Sequence, residues 1–437
     1  MAWQIGGIIE GFYGRPWSWD ERADLMRFCH ERGMTHYVYA PKDDPKHRER
    51  WREPYGDGKL EGFARLAAEN TLEVGFGISP GLSIDCDSHD DRTALAAKVD
   101  QVLNVGIRLV VLALDDIPFG GGEQGRAHAE LTTWLRDHLG DRASLALVPT
   151  EYVGTSTTAY LDELAKGVPG DVPIAWTGDT VVNDTITGAQ AFVRAASLGN
   201  RPPLLWDNYP VNDGMMSDRL HLGPLWGREP KLADRCCGYL SNPLVQPKAS
   251  KLPLASIAAW LRGEDPLDAW AHEAEALGQR IFAEACDGSV PQALVQHAVE
   301  WIDDDAGWDR VIAPLREWLQ AATDCGAPGI EDEVGDWLEQ VHTEARLALD
   351  ALELVDLARA GEFVRAIDRA FAVSIVWQSV RRADKTVMGS RFGLQPMLGQ
   401  RPDGTWSFHN GSIVENRNAV DALLRACLNL YSRRSTA

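Results

Sequence analysis

Positive charge is in short supply in this 437-residue chain. Forty-three Lys and Arg stand against 64 Asp and Glu, a formal net charge of −21 at pH 7. Nucleic acids and anionic membrane surfaces are gripped through basic patches, so this balance argues against both as partners. Cysteine is sparse and odd in number: Cys29, Cys86, Cys236, Cys237, Cys286, Cys325 and Cys427. With no C-x-x-C pair and no Cys/His cluster at zinc spacing, the pattern predicts reduced thiols, mostly buried, in a reducing compartment. No P-loop, H-E-x-x-H, G-x-S-x-G elbow or EF-hand loop is present, and no G-x-G-x-x-G follows the first apolar run. No apolar run approaches the length of about 20 residues that spans a bilayer. The opening MAWQIGGIIEG lacks the basic and then apolar segments of a signal peptide. The expectation is a soluble, cytoplasmic protein with no cofactor.

What is present is a large apolar fraction, 45%, and an excess of tryptophan, 16 against 9 Tyr and 11 Phe. Core-forming capacity of that size rules out global disorder. Short apolar runs at 4–9, 35–40, 71–78, 107–114, 144–149, 172–177, 203–206 and near 237–241 read as strands. Between and after them, 20–32 (with Ser18 at its cap), 59–70, 91–105, 123–139, 157–167, 187–198 and 251–262 read as helices. Near-continuous apolar strands are what a sheet covered on both faces requires. Such alternation over about 250 residues predicts an α/β fold, a (β/α)₈ TIM barrel, over residues 1–264. A doubly wound open sheet is the second choice.

Beyond 264 the strand signals thin out, and 265–437 reads as a C-terminal, mainly helical domain. Helices are expected at 266–285, 290–303, 309–323, 331–352, 354–383 and 417–432. Residues 391–413 read as an irregular Gly/Pro/Asn-rich stretch with a hairpin around Asp403-Gly404. Trp270, Trp301, Trp308, Trp318, Trp337 and Trp377 read as aromatics that pack these helices.

In a barrel the active site lies at the C-terminal ends of the strands, which makes the strand ends a filter. The first strand runs into Glu10-Gly11-Phe12-Tyr13-Gly14, where glycines let backbone approach a ligand. The second ends at Lys42, a point charge that can grip a hydroxyl or pair with Asp43 or Asp44. The fourth ends in Asp115-Asp116-Ile117-Pro118. Neighbours on a regular strand point to opposite faces, so both carboxylates reach one cleft only where the strand breaks, and Pro118 supports a break. Two close carboxylates divide into one ionised and one able to donate a proton, as glycosidic cleavage requires. The competing reading is a turn-forming Asp pair that caps the next helix. Glu151-Tyr152, Trp176-Thr177-Gly178, Trp206-Asp207-Asn208, Asn212-Asp213 and Ser241-Asn242 follow the remaining strands. Amides, carboxylates and aromatic faces on one rim describe a sugar pocket. The strand ends carry no histidine, so no catalytic metal is inferred.

Taken together, Glu10-Gly11-Phe12-Tyr13-Gly14-Arg15-Pro16-Trp17, Tyr39-Ala40-Pro41-Lys42-Asp43-Asp44 with His47-Arg48, Asp115-Asp116-Ile117, Pro149-Thr150-Glu151-Tyr152, Trp176-Thr177-Gly178 and Trp206-Asp207-Asn208 resemble glycoside hydrolase family 84. This is the O-GlcNAcase and β-N-acetylglucosaminidase family, and the likeness covers the whole expected barrel. It implies retaining, substrate-assisted hydrolysis of terminal β-linked N-acetylglucosamine through an oxazoline. By that likeness Asp115 orients and polarises the acetamide N–H, while Asp116 is general acid and then general base. Tyr152 positions the acetamido group, and Gly11 (through its backbone), Lys42, Asp213 and Asn242 hold ring hydroxyls. Asn208 fixes the acetamide and the carboxylates, and Thr177, Val181 and Trp206 shape the N-acetyl pocket. The loop after Asp116, Ile-Pro-Phe-Gly-Gly-Gly, departs from the family pattern on the leaving-group side. A non-catalytic sugar-binding or scaffold protein and an endo-acting, hyaluronidase-like glycosidase are the alternatives. The expected partner is a GlcNAc-containing glycoside or glycoconjugate, and a homodimer through the helical domain is left open.

Overall fold

A computed structural model of the chain describes residues 3–69, 71–380, 385–389, 392–400, 406–414 and 419–435. The chain divides into two compact units. The first runs to Gly214 and adds Pro224–Ala269 and Leu394–Ser412. The second consists of Met215–Gly223, Trp270–Gly393 and the stretch from Ile413 onward.

The first unit is a parallel barrel. Strands β1 (Ile5–Glu10), β2 (His36–Tyr39), β3 (Glu73–Ile78), β4 (Leu109–Ala113), β5 (Ser144–Val148), β6 (Ala175–Trp176), β7 (Leu204–Asp207) and β8 (Gly238–Ser241) run in the order β5-β4-β3-β2-β1-β8-β7-β6. A parallel bridge from Leu147 to Ile174, with Leu147 N–H donating to Pro173 O at 2.9 Å, links the two ends of that order. The ring therefore nearly closes. The expected sixth strand at 172–177 shrinks to two residues. Pro173 has no N–H to give, so toward β5 this stretch offers the Pro173 carbonyl and a single bridge at Ile174, while Ala175 and Trp176 pair with Leu204 and Leu205 of β7.

Inward-facing Ile9, Val38, Ala40, Leu109, Val111, Ala113, Ala146, Val148, Ala175, Leu204, Trp206 and Leu240 pack into one buried cluster, the layered interior that lets a barrel be solid. Helix α1 (Trp19–Glu31) starts at a capping box, where Ser18 accepts from Glu21 N–H and Glu21 accepts from Ser18 N–H. Helices α2 (Asp57–Ala68), α3 (His89–Leu103), α4 (Gly121–Leu139), α5 (Ala159–Gly167), α6 (Gly188–Ser197) and α7 (Lys251–Leu261) follow. Each starts or ends within two residues of its expectation.

The remaining helices are α8 (Pro266–Ala276), α9 (Arg280–Asp287), α10 (Ser289–Glu300), α11 (Trp308–Ala322), α12 (Glu331–Arg359), α13 (Phe363–Val380) and α14 (Ala419–Ser435). Three expectations change. The helix read over 266–285 breaks at Gly278, whose φ of +66° is left-handed. The break read at residue 353 falls instead at Gly361, φ +74°, because Leu352, Leu354, Val355 and Leu357 keep α12 buried and continuous. The stretch read as irregular holds two paired strands, β9 (Phe392–Gln400) and β10 (Trp406–Val414). Asp403-Gly404 lies outside the described residues. Cys29, Cys236 and Cys427 are buried, Cys86, Cys237, Cys286 and Cys325 are partly buried, and all seven are free. Among the described residues no helix is long and apolar enough to cross a membrane.

Candidate active site

Strand β4 ends at Ala113, and the chain then leaves sheet geometry. Asp115 stays buried, whereas Asp116 takes a left-handed φ of +53°, uncommon for a residue with a Cβ. That kink undoes strand alternation and brings two consecutive carboxylates into one set of contacts. Lys42, at the end of β2, donates through Nζ to Asp115 Oδ2 at 2.5 Å and lies 3.9 Å from Asp116 Oδ2. Its partner is therefore Asp115, not Asp43 or Asp44. Asp44 is taken by Tyr39, Tyr55 and Lys59.

The two carboxylates are not equivalent. Asp115 Oδ1 is buried and accepts no hydrogen bond. A buried acceptor without a donor costs free energy, so it is the atom most in need of a ligand N–H. The Asp116 side chain is 31% exposed and has both oxygens engaged. Tyr13 Oη donates to Oδ2 and Tyr152 Oη to Oδ1, each at 2.9 Å. Burial raises both phenols above their ordinary range, and the Asp116 charge adds to it. They stay protonated and act as donors.

The opposite side of the site is built from β1, β7 and β8. Gly11 N–H donates to Ile9 O at 2.8 Å and to Asn242 Oδ1 at 3.2 Å. A Cβ on Gly11 would lie 2.4 Å from Trp206 Cζ2, so only glycine lets this turn pass the indole. Asn208 Oδ1 accepts from Trp206 Nε1 at 2.9 Å and from Asn242 Nδ2 at 3.0 Å, while Asn208 Nδ2 donates to Val181 O at 2.8 Å. Asp213 Oδ2 accepts from Tyr13 N–H at 2.7 Å. Burial raises the Asp213 carboxyl above its usual value, with the Asp116 charge a smaller contribution. Thr177 closes the loop to Asn183: its O accepts from Asn183 Nδ2 at 2.7 Å, and its N–H donates to Tyr152 O at 3.0 Å. Val181 is 45% exposed on that loop.

Two connected groups result. Lys42, Asp115, Asp116, Tyr152 and Asp213 join through Tyr13. Gly11, Trp206, Asn208, Asn242 and Val181 join through the amide chain, while Thr177 bonds to Tyr152 of the first group and to Asn183. Glu151, by contrast, faces α5, where Thr158 Oγ1 donates to Oε2 at 2.6 Å. Sequence reasoning assigned no role to two residues the structure places on Asp116. Tyr13 carried a signal, an aromatic between two glycines that must be held somewhere. Arg48 sat in a charge run that reads as solvated surface, yet it is buried, with Nη1 3.8 Å from Asp116 Oδ2.

The family described as NAGidase, β-N-acetylglucosaminidase, matches residues 6–288. Two curated relatives, each named Protein O-GlcNAcase, from Rattus norvegicus and Mus musculus, are 30% identical over 338 residues, 72% of this chain. The chain spans 36% of the length of those relatives. An O-GlcNAc hydrolase from Thermobaculum terrenum, solved in a substituted form, is similar at a TM-score of 0.81 and 27% identity. The likeness covers 88% of this chain and 92% of that one.

Proposed function

Because this chain belongs to the β-N-acetylglucosaminidase family, glycoside hydrolase family 84, we propose that it hydrolyses terminal β-linked N-acetylglucosamine with retention, the substrate's acetamide acting as nucleophile. The observation that carries this reading is the buried, unsatisfied Asp115 Oδ1 beside a second carboxylate held by phenol donors.

In the first step the acetamide carbonyl oxygen attacks C1, and the C1–O bond to the leaving group breaks. Asp116 passes its proton to the departing oxygen. Asp115 Oδ1 accepts the acetamide N–H, which makes the carbonyl a better nucleophile and stabilises the positive charge of the oxazoline. Lys42 on Asp115 Oδ2 holds that carboxylate in orientation. Tyr152 turns its hydroxyl from Asp116 to the acetamide. In the second step water attacks C1, the C1–O bond to the acetamide oxygen breaks so that the oxazoline ring opens, and Asp116 takes the water's proton. The Gly11 backbone, Lys42, Asp213 and Asn242 hold the ring hydroxyls. Asn208 orients the acetamide, and Trp206, Thr177 and Val181 bound its methyl.

An aryl β-N-acetylglucosaminide should release its chromophore, and a well-folded protein that turns over none refutes the proposal. Asp116→Asn should lower kcat by about 10³ on a poor, alkyl leaving group and far less on an activated aryl one. Equal losses on both would remove Asp116 from the acid role. Preference for an oxazoline mimic over GlcNAc separates a catalyst from a sugar-binding scaffold. Product release that depends on chain length marks endo-cleavage.

We also propose a homodimer through the helical region and work in the cytoplasm. Helix α13 leaves Val364, Ile367, Phe371 and Ile375 exposed at three- and four-residue steps, an apolar stripe of the kind that marks interfaces. Light scattering should give twice the chain mass, and Phe371→Glu should halve it; a monomeric unsubstituted protein excludes this dimer. The seven free thiols suit a reducing compartment, and recovery in a secreted fraction would exclude that location.

A further inference from the structure

We propose that Arg48 is a positioning residue for Asp116, setting both the backbone and the carboxylate of the group that handles the leaving-group proton. The inference rests on the acid role proposed for Asp116.

Arg48 reaches the site because the chain after β2 is pinned. Lys42 N–H donates to Phe12 O at 3.2 Å and His47 N–H to Asp44 O at 3.0 Å, while Ser79 N–H donates to His47 O at 2.9 Å. The fully buried His47 ring bonds to Gly77 O through Nδ1 at 2.8 Å. Burial, with Lys42 nearby, pushes this ring down to about 3, so it stays neutral and adds no charge beside Arg48. With residue 47 tied to β3, the next side chain points at the end of β4.

There the guanidinium fork makes two separate contacts. Nη2 donates to the backbone O of Asp116 at 3.2 Å. Asp116 holds a left-handed φ of +53°, a conformation its Cβ disfavours and which must be retained from outside. Nη1 lies 3.8 Å from Asp116 Oδ2, buried and without a hydrogen-bond partner. Among the described residues, Lys42 and Arg48 are the cations within ion-pair distance of Asp116. Lys42 is committed to Asp115 at 2.5 Å. Arg48 is therefore the charge that faces Asp116, and the unused Nη1 donor leaves room for the carboxylate to move as it exchanges its proton. A lysine brings a single nitrogen without the rigid, spaced fork, so it holds carbonyl and carboxylate together less well.

The test is a cycle of Arg48→Met, Arg48→Lys, Asp116→Asn and the double variant Arg48→Met/Asp116→Asn, measured on alkyl and activated aryl β-N-acetylglucosaminides. Arg48→Met should lower kcat on the alkyl substrate by about tenfold to a hundredfold, the cost of misplacing a reacting group, with KM changed by less than about twofold. The loss on the aryl substrate should be much smaller. Arg48→Lys should recover only part of it. In the Asp116→Asn background Arg48→Met should cost almost nothing more, since its route is already gone. Equal loss on both substrates, or full additivity with Asp116→Asn, overturns the inference and leaves Arg48 a structural residue. If Asp116→Asn itself shows no leaving-group dependence, the acid assignment has failed instead. Should Arg48→Met not fold, Arg48→Lys alone and in the Asp116→Asn background carries the same comparison.

Discussion

Carboxylates at the strand ends of this barrel fall into two sets, one in the wall and one on the rim. Glu10 closes β1 and Asp207 closes β7, as close to a strand end as any functional candidate. Yet Glu10 accepts from Arg22 Nε and Nη2, each at 2.8 Å, from Tyr37 Oη at 2.5 Å and from Trp17 N–H at 3.1 Å. Asp207 accepts from Arg228 Nε and Nη2 at 2.9 and 2.8 Å and from Tyr239 Oη at 2.8 Å. Both are fully buried and saturated. On the rim, Asp115 has one oxygen on Lys42 and one on nothing. The difference is a matter of face. Ile9 and Trp206 point into the interior cluster, so alternation turns Glu10 and Asp207 outward to the helix layer and Gly11 and Asn208 inward. A saturated buried charge holds elements together; an unsaturated one waits for a ligand.

Substitutions can break that contrast. The largest effect is expected at Asp115: Asp115→Asn should lower kcat on an aryl β-N-acetylglucosaminide by about 10²–10³ while leaving the urea midpoint nearly unchanged. A large stability loss with intact turnover would move Asp115 into the wall set. Glu10→Ala should do the reverse. It strands Arg22 without its carboxylate and should cost about 3–5 kcal/mol of unfolding free energy, with kcat per folded molecule retained. Loss of kcat in a fully folded Glu10→Ala protein would dissolve the distinction. Gly11→Ala belongs to both sets, because its new Cβ meets the Trp206 indole at the pocket floor. It should cost about 1–3 kcal/mol and also raise KM; unchanged KM would show that the indole can give way freely.

The smallest effect concerns a group behind the rim. His128, on α4, bonds through Nδ1 to Tyr160 Oη at 2.9 Å, and burial pushes it down to about 4. An unfolded histidine takes up its proton near pH 6.5, but the folded protein refuses it until about pH 4. Between those values the unfolded state binds the extra proton, so falling pH removes about 1.4 kcal/mol of stability per pH unit for this group. Urea midpoints of the unsubstituted protein should therefore drop more steeply from pH 6.5 to 4.5 than those of His128→Gln. Parallel slopes would mean that the ring titrates normally in the folded protein.

Much of this was legible before any coordinates. Strand runs such as IRLVVLAL are apolar throughout because both faces are covered, and Ser18 announces the cap of the helix after it. The misreadings have local causes. Pro173 starves β6 of a donor, and two glycines at 278 and 361 outvote a helical pattern that is otherwise continuous. In the site, Asp115-Asp116 stood out because an apolar strand ending in two acids is hard to explain as packing. Arg48 did not, because a cation among His47, Glu49 and Arg50 looks the same in sequence whether it faces water or a buried carbonyl.

The sequence by itself determined the alternation of strand and helix, the Asp pair at the end of β4 and the glycines that let backbone approach a ligand. Those are properties of neighbours in the chain: periodicity, propensity and turn chemistry act within a few residues. Only the tertiary structure decided which strand-end acids are saturated and which are left open, that Lys42 belongs to Asp115 across 73 residues, and that Tyr13, Tyr152 and Arg48 converge on Asp116. Closure of the barrel sets those distances, and a carboxylate's role depends on how many donors closure brings to it.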